Sequence, residues 1–106
     1  MTKNIILLRF GGKMYVILVY DINLENLKKG SRVLRNVHKV CKKYLHHIQN
    51  SVFEGEIEES KLILMKNTLK KWLRDIDSCI IFKSRNQKWL KKEFLVAQQD
   101  KTNNFI

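Results

Sequence analysis

The sequence predicts an α+β domain, an antiparallel sheet with two helices packed on one face. Three observations carry this expectation. Met14-Tyr15-Val16-Ile17-Leu18-Val19-Tyr20 is an unbroken β-branched and aromatic run that ends on Asp21, and it reads as a strand buried on both faces. Two later segments repeat apolar residues at intervals of three and four, as helices do when one stripe faces a core. A second short apolar run, Cys79-Ile80-Ile81-Phe82, follows them and reads as another buried strand.

Length and composition bound the rest. The chain has 106 residues, enough for one domain with one modest core. Its 21 Lys and Arg outweigh 10 Asp and Glu, for a net charge of +11. Such an excess costs self-repulsion on folding and points to a polyanion as partner, nucleic acid before an anionic membrane. A merely solubilising basic surface is the plainer reading. No apolar stretch approaches the roughly 20 residues that span a bilayer. Ile5-Ile6-Leu7-Leu8 is cut short by Arg9 and makes a poor signal peptide. Cys41 and Cys79 fall inside apolar patterns, without metal-knot or disulfide spacing. They read as reduced core residues, which suits a cytoplasmic protein.

Taken in order, residues 1–13 read as an N-terminal extension to a single domain over 14–106. Gly11-Gly12 separates them from the first strand, and Met14 is the expected native start. An accessory strand over Ile5–Phe10, pairing on a sheet edge, is the alternative. A polar connection with a Lys28-Lys29-Gly30-Ser31 turn signal leads to a helix over Ser31–Tyr44. Leu34, Val37, Cys41 and Tyr44 form its apolar stripe, Ser31 is the expected N-cap, and Lys42-Lys43 suit the negative end of the helix dipole. Leu45 to Ile57 reads as two short strands or one long strand bent by a bulge, because Asn50-Ser51 and Gly55 break the alternation. Glu58-Glu59-Ser60 opens a second helix, with Leu62, Met65, Leu69 and Trp72 inward, ending near Arg74. Asp75–Ser78 is a turn and Cys79–Phe82 a strand. Lys83–Lys88 is a basic loop holding Arg85, and a last short strand is expected over Glu93–Val96. A polar tail then ends on Phe105-Ile106.

This order is the ferredoxin-like βαββαβ pattern with an extra C-terminal strand. Both helices lie on one sheet face, so the other face is left bare. A bare apolar face usually finds a second chain, and a symmetric homodimer is expected.

An acid at the lip of a buried strand, in a protein that attracts anions, is where a hard divalent cation could meet a phosphate. One Asp21 is too few ligands, and a two-fold axis near the strand tips would add the same residue from a second copy. The residues alone favour the plainer reading, in which Asp21 caps the following turn through its side-chain oxygen. His38, His46 and His47 form no recognised ligand set. His46 and His47 point to opposite strand faces, and His38 and His46 read as surface or packing residues. Arg32, Arg35, Lys39, Lys42 and Lys43 on the first helix, with the cations of Lys83–Lys92 including Arg85, are candidate phosphate contacts. Contacts of that kind give salt-dependent, sequence-independent affinity. Tyr15, Tyr20, Trp72 and Trp89 read as core or interface residues rather than stacking platforms.

Met14 to Ile22, Arg32-Val33-Leu34 and Ile48 to Ile57 resemble the Cas2 family of small CRISPR-associated proteins. The likeness spans Met14 to Ile106, and Ser51-Val52-Phe53-Glu54-Gly55 is its most specific block. Asn103-Asn104-Phe105-Ile106 resembles the ending of a subset of members. The resemblance implies a homodimer whose last strand crosses to extend the partner's sheet. It implies a place in spacer acquisition, where the dimer bridges two pairs of Cas1 integrase subunits and holds double-stranded DNA. It also implies, for some members, Mg2+-dependent endonuclease activity on single-stranded RNA or duplex DNA. By position, Asp21 matches the metal-ligand aspartate and Tyr20 precedes it. Arg32 matches a basic position at the start of the first helix, and Ser51 and Phe53 match the strand block near the active cleft. The implied catalytic group is therefore Asp21, Tyr20, Arg32 and Phe53, with Mg2+ on Asp21. His47 stands where members often carry a basic residue, so it is a candidate phosphate contact. Gly30 and Ser31 stand where a second Arg is often found. Both departures count against strong phosphodiester hydrolysis and leave a scaffold role untouched. A toxin-type endoribonuclease of the VapD kind, which shares the fold, is the alternative.

Overall fold

The computed structural model describes residues 12–85 and 90–96. Among these, four strands and two helices alternate along the chain: β1 Lys13–Asp21, α1 Leu27–Tyr44, β2 His46–Gln49, β3 Val52–Glu58, α2 Glu59–Trp72 and β4 Ser78–Ser84. The sheet is antiparallel throughout, in the order β2-β3-β1-β4. That is the ferredoxin-like arrangement, with the buried run of β1 in the middle.

Register decides which residues meet the helices. Leu18 lies opposite Phe53 on β3 and Ile81 on β4, and Tyr20 opposite Cys79. Val16, Leu18, Tyr20, Phe53 and Ile57 bury against Val33, Val37 and Cys41 of α1 and Leu62, Met65 and Leu69 of α2. Both cysteines are free thiols, and burial pushes that of Cys41 up to about 12. The alternate residues of β1 face the other way. There Ile17 and Val19 are only half-buried, and Ile80 and Phe82 of β4 are 50% and 59% exposed. The run expected to be covered on both faces is fully covered on the helix side, while on the other Tyr15 is buried and Ile17 and Val19 are only half-buried, since within a single chain both helices lie on the same side.

Three elements have bounds that differ from those the sequence predicts. Helix α1 begins four residues before Ser31, and its N-cap is Asn26, whose side chain accepts from the Lys29 N–H. Gly30, read as a turn residue, sits inside the helix because of a close approach. A Cβ there would lie 2.5 Å from the backbone oxygen of Asn23. Helix α2 stops at Trp72, two residues early, and β4 gains residues at both ends. The segment Leu45–Ile57 resolves into two strands, with a bulge between His47 and Gln49. Their Asn50-Ser51 turn places Asn50 at φ 39°, a left-handed conformation that Asn tolerates.

Over 93–96 the single chain forms no strand. Residues 92–96 instead line a cleft on the open face with Ile17, Ile48, Gln49, Val52 and Glu54. Glu54 takes the Lys92 ammonium on one carboxylate oxygen and the Tyr15 hydroxyl on the other. The expected extension and accessory strand over 1–11, Trp89, and the tail after 96 lie outside the described residues.

Candidate nucleic-acid interface

Helix α1 separates its two chemistries cleanly. At about 100° per residue, Arg32, Arg35, Lys39, Lys42 and Lys43 fall within an arc of about 100°. Val33, Val37 and Cys41, which are buried, lie on the opposite side. Each of the five basic residues is exposed. The stripe from Arg32 to Lys43 is about 16 Å long at about 1.5 Å per residue. Two of its members lie over aromatic rings. The Arg32 guanidinium is 5.9 Å from the Trp72 ring centre and the Lys43 ammonium 5.4 Å from that of Tyr44. Such stacking holds the stems without neutralising the charge. Arg85, also exposed, stands just past the end of β4.

Behind the stripe lies a cluster of four rings. The Tyr20 hydroxyl is 2.9 Å from Nδ1 of His38. His38 meets His47 edge-on at 4.9 Å and Phe53 at 5.2 Å, while Tyr20 stacks on Phe53 at 6.0 Å. Burial, then the neighbouring His47 and Lys42, lowers the pKa of His38, so its ring is neutral at pH 7. Burial pushes the Tyr20 hydroxyl up to about 12, so it stays protonated. Nε2 of His47 is bound 2.7 Å from the carbonyl of Asn50.

These positions refine the expected catalytic group. Phe53 has no exposed surface and Tyr20 is 3% exposed, so both shape the strand tip from behind. His47 is half-buried and engaged with the turn beside it, and His38 is a packing residue. Of the four residues, only Asp21 and Arg32 present their side chains to solvent. They sit on different elements, β1 and α1.

Asp21 ends β1 opposite Ser78 and is exposed. The turn that follows it is held by other residues. The side chain of Asp77, fully buried, accepts from the Asn23 N–H at 2.8 Å and from the backbone and Nε of Arg74 at 2.9 Å. Arg74 Nη2 donates both to Asp77 and to the carbonyl of Asn23. The Arg74 guanidinium is the main reason the Asp77 carboxyl drops to about 2, helped by the backbone N–H groups of Asn23 and Arg74. Asn23 Oδ1 completes the turn by accepting from the Glu25 N–H at 3.0 Å. This clamp ties the loop leaving Asp21 to the loop entering its strand partner. The sequence reading marked Asp75–Ser78 only as a turn. Its Asn23 partner is 54 residues away in the chain, so no local pattern could announce it.

A hard cation needs about six oxygen ligands. Among the described residues no group of three or more His, Cys, Asp or Glu is placed to hold a metal. Asp21, exposed at the tip of β1, is the one carboxylate of the expected site that a single chain presents, and a Mg2+ there would take its remaining oxygens from water, a phosphate or a second copy.

A family described as CRISPR-associated protein Cas2 matches residues 14–92. A CRISPR-associated endoribonuclease Cas2 from Fusobacterium nucleatum is 55% identical over the full length of both chains. One from Moorella thermoacetica is 39% identical, covering 86% of this chain and all of the relative. Among solved structures, a Cas2 crystal structure superimposes with a TM-score of 0.65 at 34% identity, covering 84% of this chain and 92% of the other. Streptococcus pyogenes Cas2 at pH 6.5 gives 0.62 at 28% identity, covering 76% of this chain and 99% of that one.

Proposed function

The chain belongs to the Cas2 family and acts in CRISPR adaptation, and from that premise we propose that it is a homodimeric adaptor that grips double-stranded DNA by its phosphates beside the Cas1 integrase. The observation that carries this reading is the basic stripe of α1, six exposed cations on one helix face once Lys28 of the first turn is included, with the core on the other. Such a face neutralises several phosphates, releases their counterions and reads no sequence. That suits a protein that must accept foreign fragments of any sequence. The bare face of the sheet, with Ile17, Val19, Ile80 and Phe82, supports association with a second copy.

The test is the salt dependence of duplex binding. Removing one cation that touches a phosphate lowers the slope of log K against log[salt] by about 0.9. Lys39→Ala with Lys42→Ala should lower it by about two and weaken all sequences alike. An unchanged slope would refute the stripe as the DNA-binding surface.

Metal-dependent endonuclease activity, single-stranded RNA included, is the second reading. It is favoured by the exposed Asp21 at the tip of β1 and requires Asp21 of a second copy to face it. Asp21→Asn should remove any Mg2+-dependent cleavage and leave duplex affinity and spacer acquisition in place. Loss of acquisition with DNA binding and assembly intact would contradict the adaptor reading.

A further inference from the structure

Beside the basic stripe, α1 and the β2–β3 turn enclose a surface groove of about 460 Å3. Ser31, Leu34, Arg35 and His38 line it from the helix, Asn50 and Ser51 from the turn, with Tyr20 alongside. We propose that this groove is a subsite for one unpaired nucleotide, with Arg35 on its phosphate and the Asn50 amide on an edge of its base.

Four observations bear on this. The first is continuity, because Arg35 belongs to both the stripe and the groove, so a strand lying along α1 passes the groove's mouth. The second is charge. With His38 neutral, Arg35 is the one cation among the lining residues, and the rest is apolar or uncharged polar. A site with a cation at one end and a neutral, partly apolar body suits a phosphorylated base better than a second phosphate. The third is rigidity. The carbonyl of Asn50 is bound by His47 and that of Ser51 by the Tyr20 N–H at 3.2 Å. The turn therefore presents its side chains from a fixed backbone, and fixed donors lose less freedom on binding. The fourth is conformation. Asn50 takes a left-handed φ of 39°, which Asn adopts readily in a turn, and its side chain is exposed at the groove's rim. The groove's volume is within the roughly 300–1,000 Å3 usual for small-ligand clefts. A primary amide offers the donor and acceptor pair that base edges require.

The inference rests on the phosphate-gripping reading of α1, and the experiment separates the two. Three DNA ligands are compared at one salt concentration: a blunt duplex, the same duplex with a three-nucleotide single-stranded tail, and one with a tail of three abasic sugar-phosphates. The tailed duplex should bind about tenfold tighter than the blunt one, as docking a base typically gives, and the abasic tail should recover little of that gain. Asn50→Gly removes the amide and relaxes the turn, and Ser31→Leu fills the groove from within the helix. Each should reduce the preference for the tail to about twofold or less while leaving blunt-duplex affinity unchanged. An abasic tail that binds as well as the natural one, or a preference intact in both variants, would overturn the subsite. Blunt-duplex binding without salt dependence would instead overturn the reading of α1.

Discussion

Replacing Asp77 with Ala tests the clamp behind Asp21. The Asp77 carboxylate accepts from the Asn23 N–H and from the N–H, Nε and Nη2 of Arg74, all at 2.8–2.9 Å. Hydrogen bonds to a charged group contribute about 1.5–3 kcal/mol each, but bonds sharing one carboxylate do not add. The ionisation of Asp77 gives an independent measure. Its carboxyl falls from 3.8 to about 2 on folding. At about 1.4 kcal/mol per pH unit, and discounted for solvent screening at the partly exposed Arg74, that is about 1–2 kcal/mol. The backbone N–H groups of Asn23 and Arg74 add the cost of donors left without an acceptor. The whole substitution should therefore cost about 2–3 kcal/mol at pH 7, or roughly 10–20 °C in melting temperature. The sign of the pH dependence follows from a depressed carboxyl. The Asp77 contribution is fully present above pH 3.8 and is lost as pH falls through about 2. Urea unfolding at matched protein concentration, from pH 7 down to pH 2, measures both effects, because association also moves the midpoint. A cost below about 1 kcal/mol at pH 7, or an acid limb equally steep in Asp77→Ala, would refute the argument.

Two further outcomes follow from the packing. Gly30→Ala should destabilise by about 1–2 kcal/mol, although helix propensity alone would favour Ala by nearly 1 kcal/mol. The added Cβ would meet the Asn23 oxygen at 2.5 Å and Leu24 Cδ2 at 2.9 Å, and the first is backbone that cannot swing away. Urea unfolding that finds Gly30→Ala more stable would show that the α1 entry relaxes freely. Phe82→Lys puts a charge on the bare sheet face at a side chain that is 59% exposed. Sedimentation should show a monomer with an unchanged circular dichroism spectrum, and a persistent dimer would place the association surface elsewhere.

The elements whose signal is local were legible in the chain. β1 announced itself by composition, α1 and α2 by period, and the break between β2 and β3 by Asn50-Ser51. The basic face of α1 was equally plain, because periodicity that places Val37 and Cys41 inward places Lys39 and Lys42 outward. What escaped reading was set by distant contacts. Gly30 looked like a turn because glycine usually marks one. Only the approach of Asn23 explains a glycine inside the helix. Phe53 and Tyr20 lie beside Asp21 in the family pattern but are buried behind it, and burial depends on α1 covering them. The Arg74–Asp77–Asn23 clamp joins positions about 50 residues apart and has no spacing to recognise.

The two margins of the sheet are unequal. β2 is four residues long and bulged, which blunts it against further pairing, whereas β4 runs seven residues at the opposite margin. Among the described residues, the border of β4 is therefore the better suited to accept a strand donated by a neighbour. If two molecules were to exchange such strands reciprocally, each would close that border of the other. Such an exchange would end in a finite pair, and the same main-chain chemistry that drives fibril growth elsewhere would stop after one step.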